Sequence, residues 1–176
     1  MRHLIILAGH PRSGKKTAAK LLHGVLGWTV LDKDQLTREM SEELNNAFSG
    51  NPYDKQSDLY YEYIRPLEYS LFMQTVWEKF ERGEEGVIVS APFSEELDQA
   101  QWVKRLEKNA ESFGVELVGY WFECDEEIIQ QRMDEADTEL DRWRLSNWSE
   151  WKKTLRDPDL PEWCSKVDGS KPTTLV

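Results

Sequence analysis

The chain has 176 residues, enough for one domain with a full hydrophobic core, and 22 basic against 33 acidic residues give a net charge of −11 that repels a long nucleic acid. No aliphatic run approaches the roughly 20 residues of a membrane span, and the N-terminus has no long apolar signal core, so the expectation is a cytoplasmic protein with no membrane partner. Cys124 and Cys164 stand far apart without metal-ligand spacing and read as reduced thiols rather than a disulfide or zinc site.

The first strand is expected at Leu4 to Ala8, followed by "GHPRSGK" and a helix from about Gly14 to Leu26. A glycine-bounded loop between an aliphatic strand and a helix is the setting of a phosphate loop, where backbone N–H groups and the helix dipole meet phosphate oxygens. Gly9, His10, Pro11, Arg12, Ser13, Gly14, Lys15, Lys16 and Thr17 are therefore the candidate cradle, with Lys15 reaching the β- and γ-phosphates. The motif expects a hydroxyl after Gly14-Lys15, to ligate Mg²⁺. Lys16 stands there instead, and the hydroxyl arrives one place later at Thr17.

Gly27 closes this helix, and a second strand at Trp28 to Leu31 runs into "LDKD". Carboxylates at the C-terminal edge of such a strand face the ligand crevice of an open parallel sheet, which singles out Asp32 and Asp34. Asp34 also reads as a cap for the next helix, Lys33 to Phe48. "SGNPYD" is a loop. The third helix, Asp58 to Arg82, carries Tyr61 and Arg65 near one end, while Phe72, Val76, Phe80, Leu67 and Leu71 look like core. A strand at Val87 to Ser90 ends in Ser90-Ala91, where many NTPases have a carboxylate. Then come a helix at Ser94 to Phe113, a strand at Val115 to Phe122, a helix at Asp125 to Glu135, one at about Leu140 to Leu155, and a weak strand at Ser165 to Asp168. In the last helix Trp148 and Trp151 share a face with Leu155, which suits core packing or a homodimer surface. The alternation predicts one α/β domain over residues 1–176, a three-layer α/β/α sandwich around a five-stranded parallel sheet.

The phosphate loop, "LDKD", "VIVSAPF", "CDEEIIQQRMDEADTELDRWRLSNW" and the terminal "VDGSKP" resemble the P-loop kinases of the polynucleotide kinase, zeta-toxin and chloramphenicol phosphotransferase type. The resemblance implies ATP and Mg²⁺ as cofactors and a small-molecule hydroxyl as phosphate acceptor. It makes Asp34 the base for that hydroxyl, with Asp32 as alternate. It implies a lid at about residues 132–145 in which Arg132, Arg142 and Arg144 close over ATP, Arg132 also stabilising the transferring phosphate. A surface ion pair is the other reading of Arg132. Backbone groups of Gly169 and Ser170 are expected past the adenine ring, unless the segment is a frayed tail. Tyr61, Arg65 and Arg38 are expected on the acceptor side, Arg38 also reading as a solvent-facing helix residue.

"GKKT" is similar to the GKGT loops of adenylate-kinase-like enzymes, which implies Thr17 beside the α-phosphate and Mg²⁺ held largely through water. The acidic "DEADTELD" and Ser90-Ala91 depart from the kinase pattern. They leave open a nucleotide-binding module without transfer activity, acting as a sensor or partner-binding protein.

Overall fold

The structure, a computed structural model, describes residues 1–172. Five parallel strands form one sheet: β1 (Arg2–Gly9), β2 (Thr29–Asp32), β3 (Gly86–Ser90), β4 (Val115–Glu123) and β5 (Cys164–Asp168), in the order β2-β3-β1-β4-β5. The aliphatic run of β1 is buried on both faces because successive side chains alternate across the sheet. Leu4, Ile6 and Ala8 meet Phe72, Val76, Phe80, Leu106 and Ala110, while Ile5 and Leu7 meet Ala18 and Ala19. These partners come from α3 (Arg65–Glu81) and α4 (Ala100–Phe113) on one face and α1 (Lys15–Leu26) on the other, giving the expected three layers.

The remaining helices are α2 (Lys33–Ser49), α5 (Glu126–Ala136), α6 (Glu139–Ser146) and the single turn α7 (Trp148–Trp151). Three expected helices have different shapes. The third enters through a π-helical turn at Tyr60–Ile64, closed by Arg65 N–H donating to the Tyr60 carbonyl. Pro66 has no N–H for the bond an α-helix would require there, so the wider turn accommodates it. The fourth starts at Ala100 rather than Ser94, because Phe93 takes a positive φ of 54° and Gln99 is extended. The last expected helix breaks at Asn147, and α6, α7 and a 3₁₀ turn at Lys152–Thr154 replace it.

Leu67 and Leu71, expected in the core, are 43% and 41% exposed: the adjacent stripe of Phe72, Val76 and Phe80 faces the sheet instead. Trp151 packs with Cys124, Ile129 and Met133, and Trp148 lies 5.3 Å from it, so this tryptophan face closes a small core of its own against α5. Among the described residues no helix is long and apolar enough to cross a membrane.

Candidate active site

All five strands point their C-terminal ends to one edge, where β1 hands over to the phosphate loop and β2 to α2. Neighbouring β1, β3 and β4 ends open a crevice there, the usual ligand position in such sheets. The loop from Gly9 to Gly14 is held by its own polar groups: Ser13 N–H donates to the His10 carbonyl, and His10 Nε2 lies 3.1 Å from Asp157 Oδ1, which also accepts from Trp121 Nε1. Gly9 is needed at its position. Its φ is 129°, and a Cβ there would stand 2.3 Å from the Phe122 carbonyl oxygen.

Lys15 opens α1 and folds its side chain back into the loop, where the ammonium donates to the carbonyls of Gly9 (2.8 Å) and His10 and approaches Ser13 Oγ. Burial lowers this ammonium to about 8, against the raising pull of Asp34 and Asp32 and with the help of Arg144 and Lys16. A phosphate set against Lys15 favours its charged form and draws the proton back. Triphosphate binding is therefore expected to take up a proton near pH 8 and to weaken as the pH rises through that value. Titration calorimetry in two buffers of different ionisation enthalpy measures the uptake, which Lys15→Met should abolish.

Asp32 and Asp34 flank Lys33 and divide two tasks. Asp32 is the cap of α2, its Oδ1 accepting from Gln35 N–H at 3.1 Å, so the cap reading of Asp34 gives way to Asp32. Asp34 faces the crevice instead, among Lys33, Lys55, Tyr60, Tyr61 and Arg144. Burial works to raise its carboxyl, but Lys33, Lys55, Arg38 and Arg144 together hold it far below the usual carboxylate range. Lys33 Nζ is 3.2 Å from Asp34, and Arg38 pairs with it at 3.6 Å from the solvent side.

Beneath Asp34 lies a buried hub. Glu68, with no solvent exposure, accepts from Lys33 Nζ (2.9 Å), Thr37 Oγ1 (3.0 Å) and Tyr60 Oη (2.8 Å), and Lys55 is 3.9 Å away. Burial would raise the Glu68 carboxyl, yet Lys33 and Lys55 bring it below its usual value. Removing one partner of a buried ion pair strands the other charge and costs about 3–5 kcal/mol. Glu68→Leu is thus expected to lower unfolding stability by that amount in urea denaturation, with Glu68→Gln losing less because it retains a hydrogen-bond acceptor.

The three arginines that the kinase resemblance groups over ATP are not brought together. Arg144 lines the crevice, 3.4 Å from the buried Asp141 and stacked at 5.1 Å over Trp151. Arg142 turns outward and pairs with Asp137 at 2.7 Å. Arg132 lies at the base of the loop, where its guanidinium donates to the carbonyls of Arg12 (2.8 Å), Gly169 (2.7 Å) and Ser170 (3.2 Å). It is neither a surface ion pair nor in the crevice. Gly169 and Ser170 form an ordered turn, not a frayed end: Gly169 N–H donates to the Glu123 carbonyl, and Ser170 Oγ accepts from Asp125 N–H. Arg12 pairs with Asp141, tying α6 to the phosphate loop.

Of the residues expected on the acceptor side, Tyr61 and Arg65 both line the crevice. Arg65 is committed elsewhere, however, because its fork meets Glu96 at 2.9 and 2.7 Å while its plane lies over Tyr69. That correction follows from its burial: an unpaired guanidinium there would be too costly. Arg38 stays half exposed and reaches the crevice only through Asp34. Lys33, Lys55 and Glu68 were missed by sequence reasoning. The one available signal was the charged Lys33 inside "LDKD", at the buried start of a helix. A larger groove of about 820 Å³ between α3 and α4 shares Tyr61 and Arg65 but contains no residue of the phosphate loop or of the β2 end.

The residues present do not fit a protein-held Mg²⁺. Asp32 spends Oδ1 on the α2 cap and turns Oδ2 to Lys16 at 3.6 Å. Ser90 and Ala91 end β3 without a carboxylate, and Thr17 is exposed with no side-chain hydrogen bond among the described residues. No group of three or more His, Cys, Asp and Glu side chains is arranged to hold a metal among the described residues.

Residues 4–158 match the AAA domain family. Among solved structures the chain is similar to a putative kinase from Chloroflexus aurantiacus J-10-fl, with 18% identity and a TM-score of 0.61 over 96% of this chain and 86% of that one. It is similar to a gluconokinase from Sinorhizobium meliloti 1021, with 18% identity and a TM-score of 0.60 over 98% and 86%. A sugar kinase from Janibacter sp. HTCC2649 gives 16% identity and 0.61 over 98% and 88%. At these identities the likeness is one of fold. No curated protein sequence matches the chain.

Proposed function

Because the chain belongs to the AAA domain family and has the fold of the P-loop kinase superfamily, we propose that it is a cytoplasmic phosphotransferase moving the γ-phosphate of ATP to a hydroxyl of a small-molecule acceptor. The observation that carries this reading is the position of Asp34, ionised and facing the crevice between the phosphate loop and the start of α3. A binding module needs no carboxylate there. The two free, buried thiols suit a reducing compartment.

In this reading Lys15 leaves the Gly9 and His10 carbonyls for phosphate oxygens, and the loop N–H groups hold the β-phosphate. Arg144 adds positive charge on the crevice side. Asp34 accepts the hydrogen bond of the acceptor hydroxyl and then its proton, as the new O–P bond forms and the bond from the γ-phosphorus to ADP breaks. An Asp held so far below neutral takes a proton reluctantly, so its chief service is to orient the hydroxyl in line, with proton transfer late. Arg132 does not touch the reacting atoms. It positions the loop and the Gly169 turn.

A screen of hydroxylated metabolites, nucleosides and antibiotics for ATP-dependent phosphorylation tests the proposal, and finding at least one phosphorylated product supports it. A second reading, nucleotide binding without transfer, is favoured by Lys16 and by Ser90-Ala91, which stand where the hydroxyl and the carboxylate that hold Mg²⁺ in many NTPases are expected. ATP binding with no product from any acceptor would select it.

A further inference from the structure

We infer that the Lys16 ammonium takes the electrostatic place of a divalent cation beside the β- and γ-phosphates, so that this loop binds a nucleoside triphosphate without needing a metal. The inference rests on the phosphate-loop reading above and concerns how that loop balances charge. Lys16 follows Lys15 on the first turn of α1, at the position where the motif expects a metal-ligating hydroxyl. Its side chain is 61% exposed and reaches across to the end of β2, where Nζ lies 3.6 Å from Asp32 Oδ2.

A metal at this place would meet Asp32 first, and both oxygens of Asp32 already face N–H groups, so the metal would have to compete with them. Oδ1 receives the Gln35 N–H at 3.1 Å and Oδ2 faces the ammonium. The next strand end gives no substitute, because Ser90 pairs in register with Asp32 and is followed by Ala91. A cation bound here would also lie beside two ammonium groups, and that repulsion has no acidic compensation beyond Asp32 and Asp34. Lys16, by contrast, is already oriented by Asp32 and carries N–H donors that phosphate oxygens accept directly, which a compact ammonium does well as a point charge. Arg12, on the same loop, is neutralised by Asp141.

The test is titration calorimetry of the full chain with a non-hydrolysable ATP analogue, in EDTA and in Mg²⁺. The parent protein should bind with affinities within about threefold of each other. Loss of one charge-assisted contact is worth about ten- to a hundredfold, so Lys16→Ser should weaken binding by that factor in EDTA and recover in Mg²⁺. Lys16→Arg, which keeps the charge, should still bind in EDTA. Because Lys16 is exposed, unchanged circular dichroism of both variants is expected, and it removes misfolding as an explanation.

Electron paramagnetic resonance with Mn²⁺ gives a readout independent of affinity for the analogue. Mn²⁺ should bind the parent complex no more tightly than it binds the free nucleotide, and more tightly once Lys16 is replaced by Ser. A tenfold or greater loss for the parent in EDTA overturns the inference while leaving the phosphate loop intact, as does equal EDTA affinity for the parent and Lys16→Ser. No binding in either condition overturns the phosphate-loop reading and this inference with it.

Discussion

Lys15→Ala is expected to weaken binding of a non-hydrolysable ATP analogue by about a hundredfold or more. A hydrogen bond to a charged group is worth about 1.5–3 kcal/mol, and Lys15 would contact two phosphates, so about 3–6 kcal/mol is at stake. The loop amides and the α1 dipole remain in the variant, but they carry partial charges only. The substitution also strips the Gly9 and His10 carbonyls of their donor, so part of the loss comes from a loosened loop. Calorimetry measures the affinity and thermal denaturation the loosening. Equal affinities for the parent and the variant would remove the phosphate loop from the account altogether.

Asp34→Asn should leave ATP affinity in place while transfer to an acceptor falls by about a hundred- to ten-thousandfold, the range for a positioned general base. The lower end is expected, because the surrounding cations keep Asp34 ionised and make it a weak proton acceptor. For the same reason the acid limb of the pH–rate profile should owe nothing to this residue above the ordinary carboxylate range. Asp32→Asn should be the milder change: Asn caps helices about as well as Asp, so α2 keeps its start. Steady-state rates with an acceptor from the screen decide between the two. A dead Asp32→Asn with an active Asp34→Asn would transfer the base role to Asp32 and leave the kinase standing.

What could be read from the sequence follows the range of the forces involved. The strands were legible because a run such as Leu4 to Ala8 can be buried only between two helical layers, and the phosphate loop because its function depends on backbone spacing within a few residues. Lys33 and Glu68 were not legible. Their pairing joins residues 35 positions apart, and buried charge looks improbable until its partner is in view. Arg65 shows the same thing: it was read as a free charge, and Glu96, on a segment expected to be helical, occupies it.

The split between Arg142 and Arg144 could have been foreseen, since residues two apart on a helix point about 200° away from each other. Leu67 and Leu71 were less tractable, because two neighbouring apolar stripes ran along α3 and only the packing chose between them.

The Arg132 guanidinium also bears on the order in which the molecule assembles. It joins the carbonyl of Arg12, 120 positions earlier, to those of Gly169 and Ser170, 37 and 38 positions later. Contacts of such separation carry the largest loop-closure entropy and form late in folding. The phosphate loop, synthesised well before β5, therefore acquires its final support only when that strand docks. During translation the chain has its nucleotide motif long before it has the clasp that holds it, and competence to bind arrives with β5.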